Sequence, residues 1–172
     1  MINSIRGARY NSDKYHKLFE KGRAFTFSDY YTFSAHEVKD FLADITTLVN
    51  YVHSEALVPT IIAGGGPLTL DIYSGVTADA DGSVLQGFNR NGDFYTEMPE
   101  MKLTLGTTIT DLGTRFSGIP IPGSSTGAFS TSSIVPASLP FRPISNTKIL
   151  MRLTNTDNAS ALVGFRLNWF EY

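Results

Sequence analysis

The run Ala161-Leu-Val-Gly-Phe-Arg-Leu-Asn-Trp-Phe-Glu-Tyr172 puts Val163, Phe165, Leu167 and Trp169 on one parity and Arg166 and Asn168 on the other. That alternation is the side-chain period of a strand with one face in a core and one in water. Lys148-Ile-Leu-Met-Arg-Leu-Thr154 repeats it, with Ile149, Met151 and Leu153 facing one way and Leu150, Arg152 and Thr154 the other. The polar connection Asn155-Thr-Asp-Asn-Ala-Ser160 between them predicts an antiparallel hairpin packed on a core. The only tryptophan lies on the last strand, which therefore ties its end of the chain into a sheet.

The same period recurs upstream. Phe25, Phe27, Tyr31 and Phe33 share a parity that Asp29 interrupts, so Arg23 to Ser34 predicts two short strands or a bend at Ser28-Asp29. Leu68, Leu70 and Ile72 alternate with Thr69, Asp71 and Tyr73, and Met101, Leu103 and Leu105 alternate with Lys102 and Thr104. Asp79-Ala-Asp-Gly82 is a turn signal, with Ser83 to Phe88 as the returning strand. Thr108 to Phe116 gives another strand broken at Gly113, and Leu48 to Ala63 a strand broken near Pro59. Gly64-Gly-Gly-Pro67 is a turn. Ala35 to Asp44 stays open: Val38, Phe41, Leu42 and Ile45 have helical spacing, and a loop fits as well. Twelve Phe and eight Tyr suit pleated surfaces. The fold class is all-β, an antiparallel β-sandwich over residues 23–172.

Residues 1–22 read as a basic N-terminal arm. Ser12 to Glu20 can form a short helix capped by Ser12, with Tyr15, Leu18 and Phe19 on one face and Gly22 at its end. Through Arg23 the chain holds six basic and two acidic residues, leaving eight basic against fourteen acidic in the rest. A basic arm on an acidic body steers toward an anionic partner surface, and Arg6, Arg9, Lys14 and Lys17 are the candidate contacts. Residues 119–143 hold five of the eight prolines and a Ser/Thr-rich middle, which predicts a long excursion serving a partner.

Chemistry is hard to find. Without cysteine there are no disulfides, thiolate metal sites or thiol nucleophiles. His16, His36 and His53 are scattered without metal spacing. Counting from Asp79, the twelfth position of a calcium loop would be Arg90, a cation where a glutamate is needed. Gly64-Gly-Gly lacks the following Lys-Ser/Thr of a phosphate loop, and no Gly-x-Ser-x-Gly elbow occurs. Glu97 and Glu100 flank Pro99 as loop acids. The expectation is no enzyme, no catalytic or metal site and no cofactor. The acidic strand-bearing part offers no continuous phosphate track, so nucleic acid is not an expected partner. No apolar run approaches the ~20 residues of a membrane span, and no hydrophobic signal segment opens the chain, so neither a membrane partner nor ordinary export is expected. Asn89-Arg90-Asn91-Gly92 is a polar patch that is either a turn or a dedicated contact.

Asp71-Ile-Tyr-Ser-Gly-Val-Thr-Ala-Asp-Ala-Asp-Gly-Ser, Asn89-Arg-Asn91 and Thr110-Asp-Leu-Gly-Thr114 occur in that order. Leu150-Met-Arg-Leu-Thr-Asn155 and Phe165-Arg-Leu-Asn-Trp-Phe-Glu171 follow them. In this order, over Leu68 to Tyr172, the chain resembles the small structural proteins of tailed-bacteriophage virions, the decoration and accessory subunits. The resemblance implies a sandwich or jelly-roll subunit located in the virion. Its partners would be the major capsid protein or other virion proteins, and it would be a homo-oligomer. Contacts are then expected at Arg6, Arg9, Lys14, Lys17, Asn89, Arg90 and Asn91. A second expectation on the same fold is a receptor- or glycan-binding module of a tail or head fibre, with Tyr30, Tyr31, Tyr73 and Tyr95 as stacking surfaces.

Overall fold

The computed structural model describes residues 16–46, 58–123, 130–132 and 147–171. The described residues contain a helical turn at 16–20 and thirteen strands. These are β1 (Ala24–Phe33), β2 (Val38–Asp44), β3 (Val58–Gly64), β4 (Leu68–Ser74), β5 (Thr77–Ala78), β6 (Ser83–Leu85) and β7 (Phe88–Asn89). They continue as β8 (Lys102–Leu105), β9 (Ile109–Asp111), β10 (Thr114–Ile121), β11 (Ser130–Ser132), β12 (Lys148–Asn155) and β13 (Ala161–Phe170). Sheet I has the order β11-β3-β13-β1-β7, and sheet II the order β10-β4-β12-β2-β8-β6. A separate two-stranded ribbon pairs β5 with β9. Every pairing is antiparallel.

Setting aside the segment from β5 to β9, the chain passes between the two sheets at every step but one, from β4 to β10, which are neighbours in sheet II. β1 lies in I, β2 in II, β3 in I and β4 in II; then β10 lies in II, β11 in I, β12 in II and β13 in I. Two four-stranded sheets threaded in this way make an eight-stranded jelly roll. The all-β sandwich expected from strand parity is therefore present, with its connectivity now explicit.

The inward parities meet between the sheets. Phe25, Phe27 and Phe33 of β1 and Val163, Phe165, Leu167 and Trp169 of β13 line one wall, all buried. Phe41 of β2, Leu68, Leu70 and Ile72 of β4, and Ile149, Met151 and Leu153 of β12 line the other. Phe41 stacks on Phe165 across the layers at 4.1 Å between ring centroids, and Phe25 stacks on Trp169 at 5.9 Å. Burying each such side chain contributes about 1.5–3 kcal/mol, which makes this interface the main source of stability.

Four local expectations change. β12 and β13 are strands with the expected faces, but they form no hairpin: β12 pairs with β2 and β4, and β13 with β1 and β3. Each buries its apolar parity against the same core from opposite walls, so their connection crosses the sandwich. β1 runs unbroken through Ser28-Asp29, because β13 pairs with all ten of its residues and Asp29 stays exposed. Val38 to Asp44, which had helical spacing, is strand β2. Asp79 to Gly82 is no hairpin turn either, since β5 pairs with β9 while β6 pairs with β8.

The proline-rich excursion also looks different in place. Ile119, Pro120 and Ile121 end β10, paired with Leu70, Thr69 and Leu68. Ser130 to Ser132 form β11 on β3. The rest of 119–143 beyond Gly123 lies outside the described residues, as do residues 1–15 of the arm, including Arg6, Arg9 and Lys14.

Candidate interaction surface

Residues 75–113, between β4 and β10, are an insertion in the jelly roll and do three things. β8 and β6 extend sheet II beyond β2, and β7 extends sheet I beyond β1. The β5–β9 ribbon lies over the outer face of sheet II. There Leu42, Leu150 and Val76 are buried together, with Tyr73, Ala78, Ile109 and Leu112 packed around them. The ribbon is pinned by Asp81, whose carboxylate accepts from the Thr108 backbone N–H at 2.8 Å and from its hydroxyl at 2.5 Å. The exit of the ribbon needs Gly113: its φ is 65°, and a Cβ there would overlap the Ser74 carbonyl oxygen.

Beside the ribbon, charges alternate across sheet II. Arg152 of β12 makes a two-pronged pair with Asp40 of β2, at 2.8 and 2.7 Å. Arg115 of β10 pairs with Asp71 of β4, which is also the register neighbour of Arg152. Forked guanidinium–carboxylate pairs hold both partners in one geometry, so this row fixes strand register and closes the face.

At the end of the sandwich where β1 turns into β2, three connections lock together. The buried Asn155 amide donates to the carbonyls of Ser34 and Ala159, at 2.8 and 2.7 Å, and its oxygen accepts from Asp157 N at 3.1 Å. His36 N donates to Asp157 O, and the Thr156 N–H and hydroxyl both donate to Pro67 O. His36 sits in the left-handed region at φ 59°. The side chains between strands thus brace one another, and this end presents a stiff polar surface.

The opposite end is closed by the last strand. Glu171 is buried, and its carboxylate accepts from Trp169 Nε1, Met101 N and Glu100 N, each at 2.9 Å. Three donors aimed at one carboxylate offset much of its desolvation. Gly87 lies against the Trp169 ring so closely that a Cβ would overlap it.

Of the candidate contacts, Lys17 is exposed on the helical turn. Asn89 and Asn91 are spent internally: Asn89 Nδ2 donates to Gly22 O at 2.6 Å and Asn91 Nδ2 to Phe19 O at 3.0 Å. The Asn91 side chain also caps a short turn at Gly92–Phe94 through Asp93 N. Arg90 bonds through its backbone to Ala24 O, while its residue is exposed. The trio therefore fastens the insertion to the helical turn and the start of β1, and of the three only Arg90 is exposed.

The tyrosines are not gathered. Tyr31 packs edge-on against Phe41, and burial together with the nearby Asp29 carboxylate pushes its pKa up to about 12. Tyr73 sits under the ribbon on sheet II, Tyr30 is exposed on sheet I, and Tyr95 is exposed on the insertion. Sequence reasoning missed Val84, Phe88 and Met98, which stand exposed on the insertion, as Tyr95 does. Their signal was apolar residues in a turn-rich stretch with no core-facing parity.

Among the described residues no three His, Asp or Glu side chains converge as a metal site would require. His16 lies 3.2 Å from Glu20, His36 contacts Asn158 at 3.0 Å, and His53 lies outside the described residues. Among those residues no helix is long and apolar enough to cross a membrane.

No family model matches the chain, and no curated protein matches it by sequence. Weak structural similarity is found to viral capsid proteins. A chain of infectious bursal disease virus, Gx strain, aligns over 87% of this chain at 10% identity and a TM-score of 0.17. The unassembled VP1 pentamer of KI polyomavirus aligns over 84% of this chain and 74% of its own, at 8% identity and 0.15. The 60-mer BFDV capsid protein aligns over 86% of this chain and 92% of its own, at 11% identity and 0.15. The chain spans 41% of the infectious bursal disease virus chain. Similarity at this level carries no argument about family or function, and the jelly-roll assignment stands on strand order alone.

Proposed function

We propose that this chain is a structural protein of a virus particle, a capsid decoration or cementing subunit of a tailed phage. It binds neighbouring capsid proteins and stabilises the shell by adhesion, without turnover of a substrate. The observation that carries the reading is the jelly-roll strand order bearing an insertion that widens both sheets and keeps large apolar side chains outside. Jelly rolls are a recurrent shell-building fold, and the step from fold to particle is by that analogy. The braced end around Asn155 supports it, since a rigid surface loses little conformational entropy on docking. The basic arm, with Arg6, Arg9, Lys14 and Lys17, is assigned to an acidic shell surface.

The test is quantitative mass spectrometry and cryo-EM of purified particles, with the chain expected at a copy number fixed by the shell symmetry. Deleting residues 1–11, with Arg6 and Arg9, is expected to weaken attachment most at low salt, where charge contacts are least screened, and to make attachment less sensitive to salt. Absence from purified particles sinks the reading. The exposed Tyr30 and Tyr95 favour a second one, a glycan- or receptor-binding module on a tail or head fibre. Hits on a glycan array that disappear in Tyr30→Ala or Tyr95→Ala would put that module in its place.

A further inference from the structure

Sheet II runs two strands past β2, to β8 and β6, whereas sheet I passes β1 only at β7. Gln86 and Gly87 alone join β6 to β7, so both extensions lie on the same side of the sandwich. β7 pairs with Phe25 and Thr26, and over residues 28–33 no described strand lies beside β1 on that side. Strand alternation fixes what this open edge offers. The Ala24 carbonyl accepts from Arg90 N on the β7 side, and the Arg23 carbonyl from Glu171 N on the β13 side. The N–H and C=O of Ser28, Tyr30 and Thr32 therefore point away from β13, into the gap next to β1.

The burial of β1 changes at the same place. Phe25, Phe27 and Phe33 are buried on the inward parity, but between them Asp29 is exposed and Tyr31 half-buried. Tyr31 packs edge-on against Phe41, whose register neighbour in β8 is the half-buried Leu105. The gap thus has the open edge of β1 as its wall, and Tyr31 and Leu105 on its floor. The Asp29 carboxylate accepts from Tyr30 N at 2.8 Å and forms no ion pair with a described residue. Lys39 Nζ, which lies over the Phe33 ring, is spent on Glu37.

A gap with a hydrogen-bonding wall, an apolar floor and an unpaired acid fits a single extended segment. A second copy does not fit there by pairing its own β1. Sheet II overhangs β2 by two strand spacings, roughly 10 Å, so the β8–β6 ledges of the two copies would overlap. Asp29 narrows the occupant further, because a strand laid on β1 takes its carboxylate out of water and must bring a cation in return. We propose that the edge over residues 28–33 receives an extended strand of a neighbouring virion protein, with Lys or Arg opposite Asp29 and an apolar residue opposite Tyr31. Backbone rungs to Ser28, Tyr30 and Thr32 supply the affinity. Asp29 supplies the selectivity, since it turns away acidic or wholly apolar strands. The inference deepens the shell reading, on which it rests for the source of the strand, but its test uses no particles.

Two synthetic heptapeptides are the probe, Thr-Ile-Thr-Arg-Thr-Ile-Thr and the same sequence with Glu for Arg, each blocked at both ends. The full chain is expected to bind the arginine peptide at least roughly tenfold more tightly than the glutamate one, with amide exchange slowed at Ser28 and Thr32. Asp29→Lys is expected to invert that preference, and Asp93→Lys, on the insertion, to leave it unchanged. Thr32→Pro removes an edge N–H that no described strand uses, and is expected to abolish binding with an unchanged circular dichroism spectrum. Should that variant fail to fold, the inversion by Asp29→Lys decides alone. Binding of neither peptide, equal binding of both, a preference that survives Asp29→Lys, or binding retained by folded Thr32→Pro overturns the proposal. So does slow exchange at Ser28 and Thr32 in the free chain that is lost on deleting residues 1–11, because this chain's own arm would then hold the gap. A chain absent from particles yet selective for the arginine peptide removes the function proposed above and leaves this site standing. A chain present in particles without that selectivity removes the site alone.

Discussion

The outer face of sheet II carries Leu42 and Leu150 beneath the β5–β9 ribbon, while the outer face of sheet I leaves Tyr30 and Leu162 at 66 and 40% exposure. Both faces are built from the outward parity of regular strands. The chain supplies its own cover for one of them and none, among the described residues, for the other face at Tyr30 and Leu162. Outward parity is therefore no guide to burial when an insertion folds back over a sheet. The polar groups differ in the same way. Sheet II matches Arg115, Asp71, Arg152 and Asp40 into pairs, whereas sheet I keeps the Thr26 hydroxyl and the Asn168 side-chain oxygen buried with no hydrogen-bond partner among the described residues.

The largest effect expected from this contrast is on the two outward leucines. Leu150→Ala should cost about 2–5 kcal/mol, like a deletion in the main core, and Leu162→Ala no more than about 0.5 kcal/mol. Urea denaturation measures both, and equal values would erase the distinction between the faces. Next comes the ion pair: Asp40→Ala strands the mostly buried Arg152 guanidinium and should cost about 1–3 kcal/mol by the same assay. An effect below about 0.3 kcal/mol would mean that the row is solvated decoration.

A change in the opposite direction is expected on sheet I. Thr26→Val keeps the shape, removes an unpartnered buried hydroxyl, and should stabilise by about 0.5–1 kcal/mol in thermal unfolding. A loss of stability there would show that the hydroxyl finds a partner.

The smallest effect concerns pH and the ribbon. Hydrogen bonds from the Thr108 hydroxyl, and then from its backbone N–H, hold the Asp81 carboxyl below the usual carboxylate range. A carboxyl with a lowered folded-state pKa stabilises above its unfolded value and loses that contribution as pH falls through the folded one. Asp81→Asn should accordingly be slightly less stable at neutral pH and show a shallower acid limb. A variant whose melting temperature follows the wild-type curve through the acid range would detach Asp81 from the ribbon's stability.

Much of this fold was readable in advance where a strand has one wet face. Phe25, Phe27 and Phe33, or Val163 through Trp169, alternate because only one side meets the core. β2 was not readable for a reason the ribbon supplies: Leu42 is apolar on the outward parity because it is covered, which replaces alternation with a helix-like spacing. Leu150 carries the same irregularity in β12. Which sheet a strand joins was also hidden, since the polar link 155–160 would serve a hairpin or a crossing equally well. The turn chemistry of Asn89 and Asn91 was visible, but their partners Gly22 and Phe19 lie far away in the chain, and no local pattern points to them.

The place of β13 has a consequence for biogenesis. It forms the middle of sheet I, between β1 and β3, yet comes last of the strands in synthesis. Translation at about 5–20 residues per second leaves β1 without that neighbour for on the order of ten seconds. The nascent chain must shelter its phenylalanine-rich first strand through this interval, so closure of sheet I waits for β13 and is sensitive to whatever holds the unfinished sheet apart from other chains.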